Sequence, residues 1–271
     1  MKTIKHTFLA ALMGVFLMSN STIAQEEKEY FITVTTLHWN MDQEDFSLDA
    51  WKALEKEYLE KVVKKNEFII GQEFLMHYFT ADNTELLLVS TFESWDAIEK
   101  ASVRTDELEK LAWPDEKART AYFDKKGTYY GHNHSDEIYS SYAGAKMPKG
   151  KMDKEMLFYV RKSHLAYPKG GNEKEFKELH NQYLTAVTYK NDFVKAYYPN
   201  VHAWGANKTE FTEVFVLDSL SDIEKYFDKN EELAKAWKDE GKRKEFGKKI
   251  GRYFTGEHGD YLYKLVPELT K

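Results

Sequence analysis

The stretch His134-Ser135-Asp136-Glu137-Ile138-Tyr139 returns 124 positions later as His258-Gly259-Asp260-Tyr261-Leu262-Tyr263, close to the end of the chain. The echo is longer than this motif. Between His77–Lys100 and His202–Lys225, at an offset of 125, nine of 24 positions are identical. Between Trp113–Tyr139 and Trp237–Tyr263, at an offset of 124, ten of 27 are. Unrelated segments of ordinary composition would share about one or two in each block. A chain made of two copies of one unit must adopt an architecture that can be doubled, and this restricts the fold more than any single motif does.

With 271 residues there is room for two units of about 110–130 residues, each able to bury a core. The spacing divides the chain into a first unit over residues 25–142, a linker over 143–154 and a second unit over 155–271. The linker carries Gly144, Pro148 and Gly150 among lysines and methionines without periodicity, which is the composition of a connecting segment.

Hydrophobic patterning gives the elements of the first unit. Tyr30 to Trp39 is rich in β-branched and aromatic residues and reads as a strand ending at His38. Ser47 can cap a helix in which Trp51, Leu54, Tyr58 and Val62 form one apolar stripe. Phe68 to Phe79 and Glu85 to Phe92 read as strands around the turn Ala81-Asp82-Asn83. Ser94 caps a second helix, Pro114 opens a short third one reaching about Lys126, and Ser135 to Tyr139 is the closing strand. The second unit repeats the pattern from Met156 to Leu165 onward, and Phe176, Leu179, Tyr183 and Val187 restate the helical stripe.

The order β-α-β-β-α-β is the ferredoxin-like split motif, an antiparallel sheet with helices on one face. The other face is left bare although its strands are apolar on both sides, as at Phe31, Ile32 and Val34. The second unit is the obvious cover, so the sequence predicts an α+β protein with two sheets packed face to face. On this element order and duplication the chain resembles the dimeric α+β barrel superfamily, which includes antibiotic-biosynthesis-type monooxygenases, NIPSNAP-like proteins and haem-degrading relatives. A tandem repeat here replaces the dimer, and the resemblance covers Tyr30–Tyr142 and Glu155–Lys264. It implies an intramolecular barrel, a pocket between sheet and helices in each unit, and cofactor-free oxygenase or related chemistry.

Met1 to about Ala24 has the form of a secretory signal: basic Lys2 and Lys5, an apolar run from Phe8 to Met18, and Thr22-Ile23-Ala24 before a cut at Gln25. The run is too short to span a bilayer, so the expected address is periplasmic or extracellular, in soluble form. There is no cysteine, which excludes disulfide bracing, thiolate metal ligands and a cysteine nucleophile. Loss of Lys2 and Lys5 takes the formal charge from −6 to −8, with basic and acidic residues interleaved. Nucleic acid is therefore excluded as an expected partner. A small-molecule ligand is the expected one, and self-association is left open. Aromatic residues make up 15% of the chain, enough for either a dense core or an aromatic-lined pocket.

Phosphate-cradling glycine loops, G-x-S-x-G, H-E-x-x-H and calcium-loop patterns are all missing. Histidine carries what signal there is. Six histidines form three repeat pairs, His38/His164, His77/His202 and His134/His258. In a ferredoxin-like sheet the end of the first strand lies beside the start of the fourth, so His38 is expected near His134, with Asp136 on the same strand face as His134. His164, His258 and Asp260 are expected to repeat the arrangement. Such groups can act as a general base, hold a divalent metal, or satisfy backbone groups at strand ends, and His132 could add a ligand in the first unit alone. His77 and His202 lie toward the far end of their strands and read as structural. Trp113, Trp237, Tyr129 and Tyr253 could wall a ligand pocket or pack in the core.

The functional reading is an exported protein that binds a small, partly apolar molecule, with oxygenase-like chemistry implied by the resemblance. Its rivals are a non-enzymatic ligand-binding or structural module and a metal- or haem-binding protein. No cofactor is identified by the residues themselves.

Overall fold

A computed structural model describes residues 28–271; the signal segment expected over Met1–Ala24 lies outside them. The first half follows the expected order: β1 (Phe31–His38), α1 (Leu48–Lys61), β2 (Gly71–Phe79), β3 (Glu85–Phe92), α2 (Trp95–Ala112), α3 (Glu116–Gly127) and β4 (Ser135–Ser141). The second repeats it as β5 (Leu157–Leu165), α4 (Glu173–Ala186), β6 (Ala196–Trp204), β7 (Glu210–Leu217), α5 (Asp222–Trp237), α6 (Glu240–Gly251) and β8 (Phe254–Leu265). Ser47 and Ser94 cap α1 and α2 by accepting the amides of Ala50 and Ala97.

Among the boundaries that differ from the sequence reading, two in the first half have clear local causes. The α3 helix starts at Glu116 and not at Pro114, because Asp115 supplies the cap to the Ala118 amide. The second strand starts at Gly71 and not at Phe68, because the Asn66 side chain accepts the Phe68 amide and holds the approach to the strand in a turn.

Within each half the sheet has the order β4-β1-β3-β2 or β8-β5-β7-β6. The two apolar sheet faces do meet, and their edges also join: β2 pairs with β8, and β4 pairs with β6, so all eight strands form one closed barrel. Closure leaves no unpaired edge. Side chains alternate across the strands. One set, including Leu75, Leu87, Phe158, Val160, Val216 and Tyr263, fills the barrel. The opposite set packs under the helices, around Trp51 and Phe74 in the first half and around Leu184 and Tyr197 in the second.

The halves also exchange side chains reciprocally. Tyr139 on β4 donates to Glu210 on β7 at 2.6 Å, and Tyr263 on β8 donates to Glu85 on β3 at 2.5 Å. Burial, then the neighbouring carboxylates, push both phenols far above their ordinary range, so each stays a donor. After β4 the chain crosses to the second half, where Lys146 Nζ reaches the carbonyls of Asn191 and Val194 at 3.3 and 2.6 Å. After β8 it crosses back, and Lys271 Nζ reaches those of Val63 and Asn66 at 2.9 and 2.6 Å. Asn66 and Asn191, both fully buried, tie the ends of α1 and α4 to the carbonyls of Ala101 and Tyr226.

The first crossing depends on Gly144. Its φ is 105°, and a β-carbon there would sit 2.3 Å from Leu184 Cδ1 of α4. Gly144→Ala is expected to cost about 2–3 kcal/mol in equilibrium denaturation; a variant of unchanged stability would show that the crossing segment can shift. A second expectation concerns Glu73, on the β2 face that carries Leu75 into the barrel, where burial alone raises the carboxyl from 4.5 to about 7. A folded-state value above the unfolded one means that Glu73 is tolerated below pH 4.5 and becomes destabilising as pH rises through 7. Glu73→Gln should therefore leave thermal stability nearly unchanged at acid pH and raise it by about 1–3 kcal/mol at pH 8. A difference that does not depend on pH would contradict this account.

Candidate functional site

Register decides how the candidate histidines are distributed. Thr36 lies opposite Ser135 and Thr35 opposite Asp136. Extending this ladder places His134 opposite Leu37, one residue short of His38, so the two histidines project from opposite sheet faces. The second half repeats the mismatch, with His258 opposite Ser163 and not His164. The expected meeting of His38 with His134, and of His164 with His258, is thus replaced by two separate arrangements.

His38 and His164 hold hairpin turns. His38 Nδ1 lies 3.2 Å from both Thr84 Oγ1 and Asp82 Oδ2 in the β2–β3 turn. His164 Nδ1 lies 3.0 Å from Asn207 Nδ2 and 3.5 Å from Thr209 Oγ1 in the β6–β7 turn. His134 and His258 pair instead with the carboxylates two residues on: His134 Nε2 is 3.4 Å from Asp136 Oδ2, and His258 Nε2 is 3.3 Å from Asp260 Oδ2. Among the described residues no group of three or more His, Cys, Asp or Glu side chains is placed to hold a metal ion.

The two His–Asp pairs have diverged. In the first half Thr35 Oγ1 donates to Asp136 Oδ1 at 2.6 Å. In the second, Tyr159 OH donates to Asp260 Oδ1 at 2.6 Å, and Arg161 Nη2 approaches His258 Nε2 at 2.8 Å. When Arg161 donates to Nε2, the neutral imidazole carries its proton on Nδ1. Arg161 Nε is 3.8 Å from Asp260 Oδ1, beyond hydrogen-bonding distance.

Three of the four aromatic candidates pack as core. Trp113 is stacked on Tyr122, 4.1 Å between ring centroids, and Tyr129 lies in the same cluster. Tyr253 is buried against Phe176 and donates its hydroxyl to Glu175 at 2.5 Å. Trp237 borders a shallow cleft of about 350 Å³ with Asn181, Thr185 and Lys190, and Lys238 covers its ring at 4.0 Å.

The space between sheet and helices is closely filled in both halves. His180 on α4 is only 6% exposed. Its Nε2 lies 3.0 Å from Tyr197 OH, which donates to Glu213 at 2.6 Å, and its ring stacks on Phe176. Tyr142 and Phe211 close the remaining sides. A haem iron needs an axial side chain that faces room for the macrocycle; His180 faces rings, so these residues do not fit haem. The matching position in the first half is Glu55, 3% exposed, which accepts from Tyr130 OH and lies 3.2 Å from Lys126 Nζ.

An open cleft occurs instead at the seam between β2 and β8, with a volume of about 630 Å³. The pairing of these strands slips between His77 and Phe79, and such irregularities bend a strand away from its neighbour. His77, Tyr78, Phe79, Asp260 and Tyr261 line the space. His77 is held by Thr80, at 2.7 Å from Nδ1 to Oγ1, and Phe79 is 57% exposed. A β-carbon on Gly259 would lie 2.6 Å from the Tyr261 hydroxyl, so glycine is what admits that ring.

The opposite seam, β4–β6, is built differently. Tyr78 and Tyr261 are replaced there by Ala203 and Glu137, and the Glu137 side chain lies over Gly205, 3.1 Å from where a β-carbon would sit. Arg161, Tyr159, Tyr78, Phe79 and His180 do not stand out in the sequence, because the repeats do not share them. Their signal is disagreement: Arg161 stands opposite Thr35 in the alignment, Tyr78 opposite Ala203 and His180 opposite Glu55.

No family model and no curated protein matches this sequence. Solved structures do match in shape. A proposed monooxygenase from Fusobacterium nucleatum subsp. nucleatum superposes with a TM-score of 0.55 at 12% identity, over 88% of this chain and 92% of that one. A mutant chlorite dismutase from Candidatus Nitrospira defluvii gives 0.53 at 12% identity, over 88% and 92%. An anthrone oxidase-like protein gives 0.50 at 14% identity, over 91% and 94%. At such identities the likeness speaks for the fold alone. The chain therefore has the ferredoxin-like α+β barrel fold of these monooxygenase-type and chlorite dismutase structures, formed here by two tandem units of one polypeptide.

Proposed function

We propose that this is an exported protein that binds a small, partly apolar molecule in the β2–β8 cleft. The observation that carries the reading is the cleft itself: about 630 Å³ of open space walled by aromatic rings, with a few polar groups converging on it, as in small-molecule sites generally. Export rests on the Met1–Ala24 segment, and no described helix is long and apolar enough to cross a membrane.

His258 and Asp260 are the candidate acid–base pair. Asp260 lines the cleft, and His258 is 3.3 Å from it. If Arg161 leaves Nε2, His258 can donate Nε2–H to Asp260, and its free Nδ1 can then take a proton from an acidic C–H or phenolic group of a bound ligand. Proton removal of this kind would begin the cofactor-free oxygenase chemistry implied by the fold resemblance; without it the same cleft serves a binding protein. His134 and Asp136 form the corresponding pair beside the more closely filled seam.

The test is a titration with 2-naphthylmethanol, a neutral apolar probe, followed by its fluorescence. Wild-type protein should bind it, and Phe79→Ala and Tyr261→Ala should each weaken binding about fivefold or more, given the worth of one ring contact. Undiminished binding in both variants would move the ligand site elsewhere.

A further inference from the structure

The lining of the β2–β8 cleft has a definite electrostatic character. Asp260 is the one formally charged residue there; the bulge turns Phe79 to the sheet face of Leu262, which Asp260 and Tyr78 share, whereas Tyr261 lies on the barrel face. Aromatic faces are electron-rich and attract cations, the more so where water is partly excluded. A carboxylate among such faces adds direct charge complementarity.

Asp260 keeps capacity for a further partner. Tyr159 takes Oδ1, while Oδ2 has only His258 at 3.3 Å. An ionised carboxylate offers about four acceptor positions. Arg161 partly offsets the charge from 3.8 Å, but its closest approach is to His258 and not to Asp260. The seam already shows an ammonium on one of its rings: Lys264 Nζ lies 4.5 Å from the Tyr78 centroid and is itself neutralised by Glu155 at 2.9 Å. The opposite seam has lost two of the three rings, since Ala203 and Glu137 replace Tyr78 and Tyr261. The opposite seam keeps Asp136 and Trp204, so a carboxylate with two rings, Tyr78 and Phe79, on its own face belongs to one seam only.

Resting on the cleft as the ligand site, we propose that its ligand is a cation with an apolar body, an organic amine or quaternary ammonium compound, whose charged group sits against Asp260 and the face of Phe79. The experiment compares three probes with one ring system at neutral pH on the full-length mature protein: 2-naphthylmethylamine, 2-naphthylmethanol and 2-naphthoate, which are cationic, neutral and anionic. Wild type should bind the amine about tenfold tighter than the alcohol and the carboxylate most weakly, with the preference shrinking as salt is raised. Asp260→Asn should remove most of the preference for the amine, lowering its affinity far more than that for the alcohol. Phe79→Ala should weaken amine and alcohol together. Equal affinity for all three probes, tighter binding of 2-naphthoate, or a preference that survives Asp260→Asn would each overturn the cationic assignment while the cleft still stood as a binding site. If the alcohol and the amine both failed to bind, the cleft reading itself would fall, and the assignment with it.

Discussion

Edge pairing between the two halves is the constraint on which the rest of this structure depends. A single βαββαβ unit has helices on one sheet face only and leaves the other face and two edges open. Here β2 meets β8 and β4 meets β6, so the backbone groups at those edges are satisfied and the apolar inner faces become one barrel core. The reciprocal contacts follow from this geometry. Tyr139 and Tyr263 each reach a glutamate of the other half, and Lys146 and Lys271 each close the end of a helical segment in the other half. Neither half buries its own core alone: Val266 and Leu269, from beyond the last strand, pack among Trp51 and Phe74 of the first half, and Tyr142 of the first half packs on the Phe176 and Phe211 cluster of the second.

The same seams are where the duplicated halves have parted ways. Symmetry alone would make two equal clefts. At β4–β6 the polar residue Glu137 turns to the barrel cluster of Tyr139, Glu210 and Lys162, and lies over Gly205. Burial disfavours the Lys162 ammonium, but the carboxylates of Glu210 and Glu137 outweigh it and raise its pKa. At β2–β8 the equivalent position is Tyr261, and with Tyr78 and Phe79 it leaves an aromatic-walled opening. One seam is thus tied up in a charged network, and the other carries the open cleft.

The histidine pairs show how identity between repeats can mislead about chemistry. All three pairs survive duplication, yet His38 and His164 serve turns through Asp82 and Thr84 or Asn207 and Thr209, residues that the repeats also keep in register. What distinguishes the second half is the replacement of Thr35 by Arg161 and of Glu55 by His180. Shared positions mark what the fold needs twice, whereas differing positions mark what only one half does.

From sequence, the duplication, the β-α-β-β-α-β order, the helix caps at Ser47 and Ser94, and the need to cover a bare sheet face were all legible, because they depend on local periodicity and on self-similarity along the chain. Pairing of Asp136 with His134 and of Asp260 with His258 was legible for the same reason, since i and i+2 share a strand face whatever the partner strand does. Register across strands was not. Moving the β1–β4 ladder by one residue turns His38 to the other face, and only the packing of two apolar sheet faces sets that ladder. The cleft was beyond reach as well: it arises where the β2–β8 pairing slips between residues more than 180 positions apart in the chain, and long-range register of this kind is decided by tertiary packing.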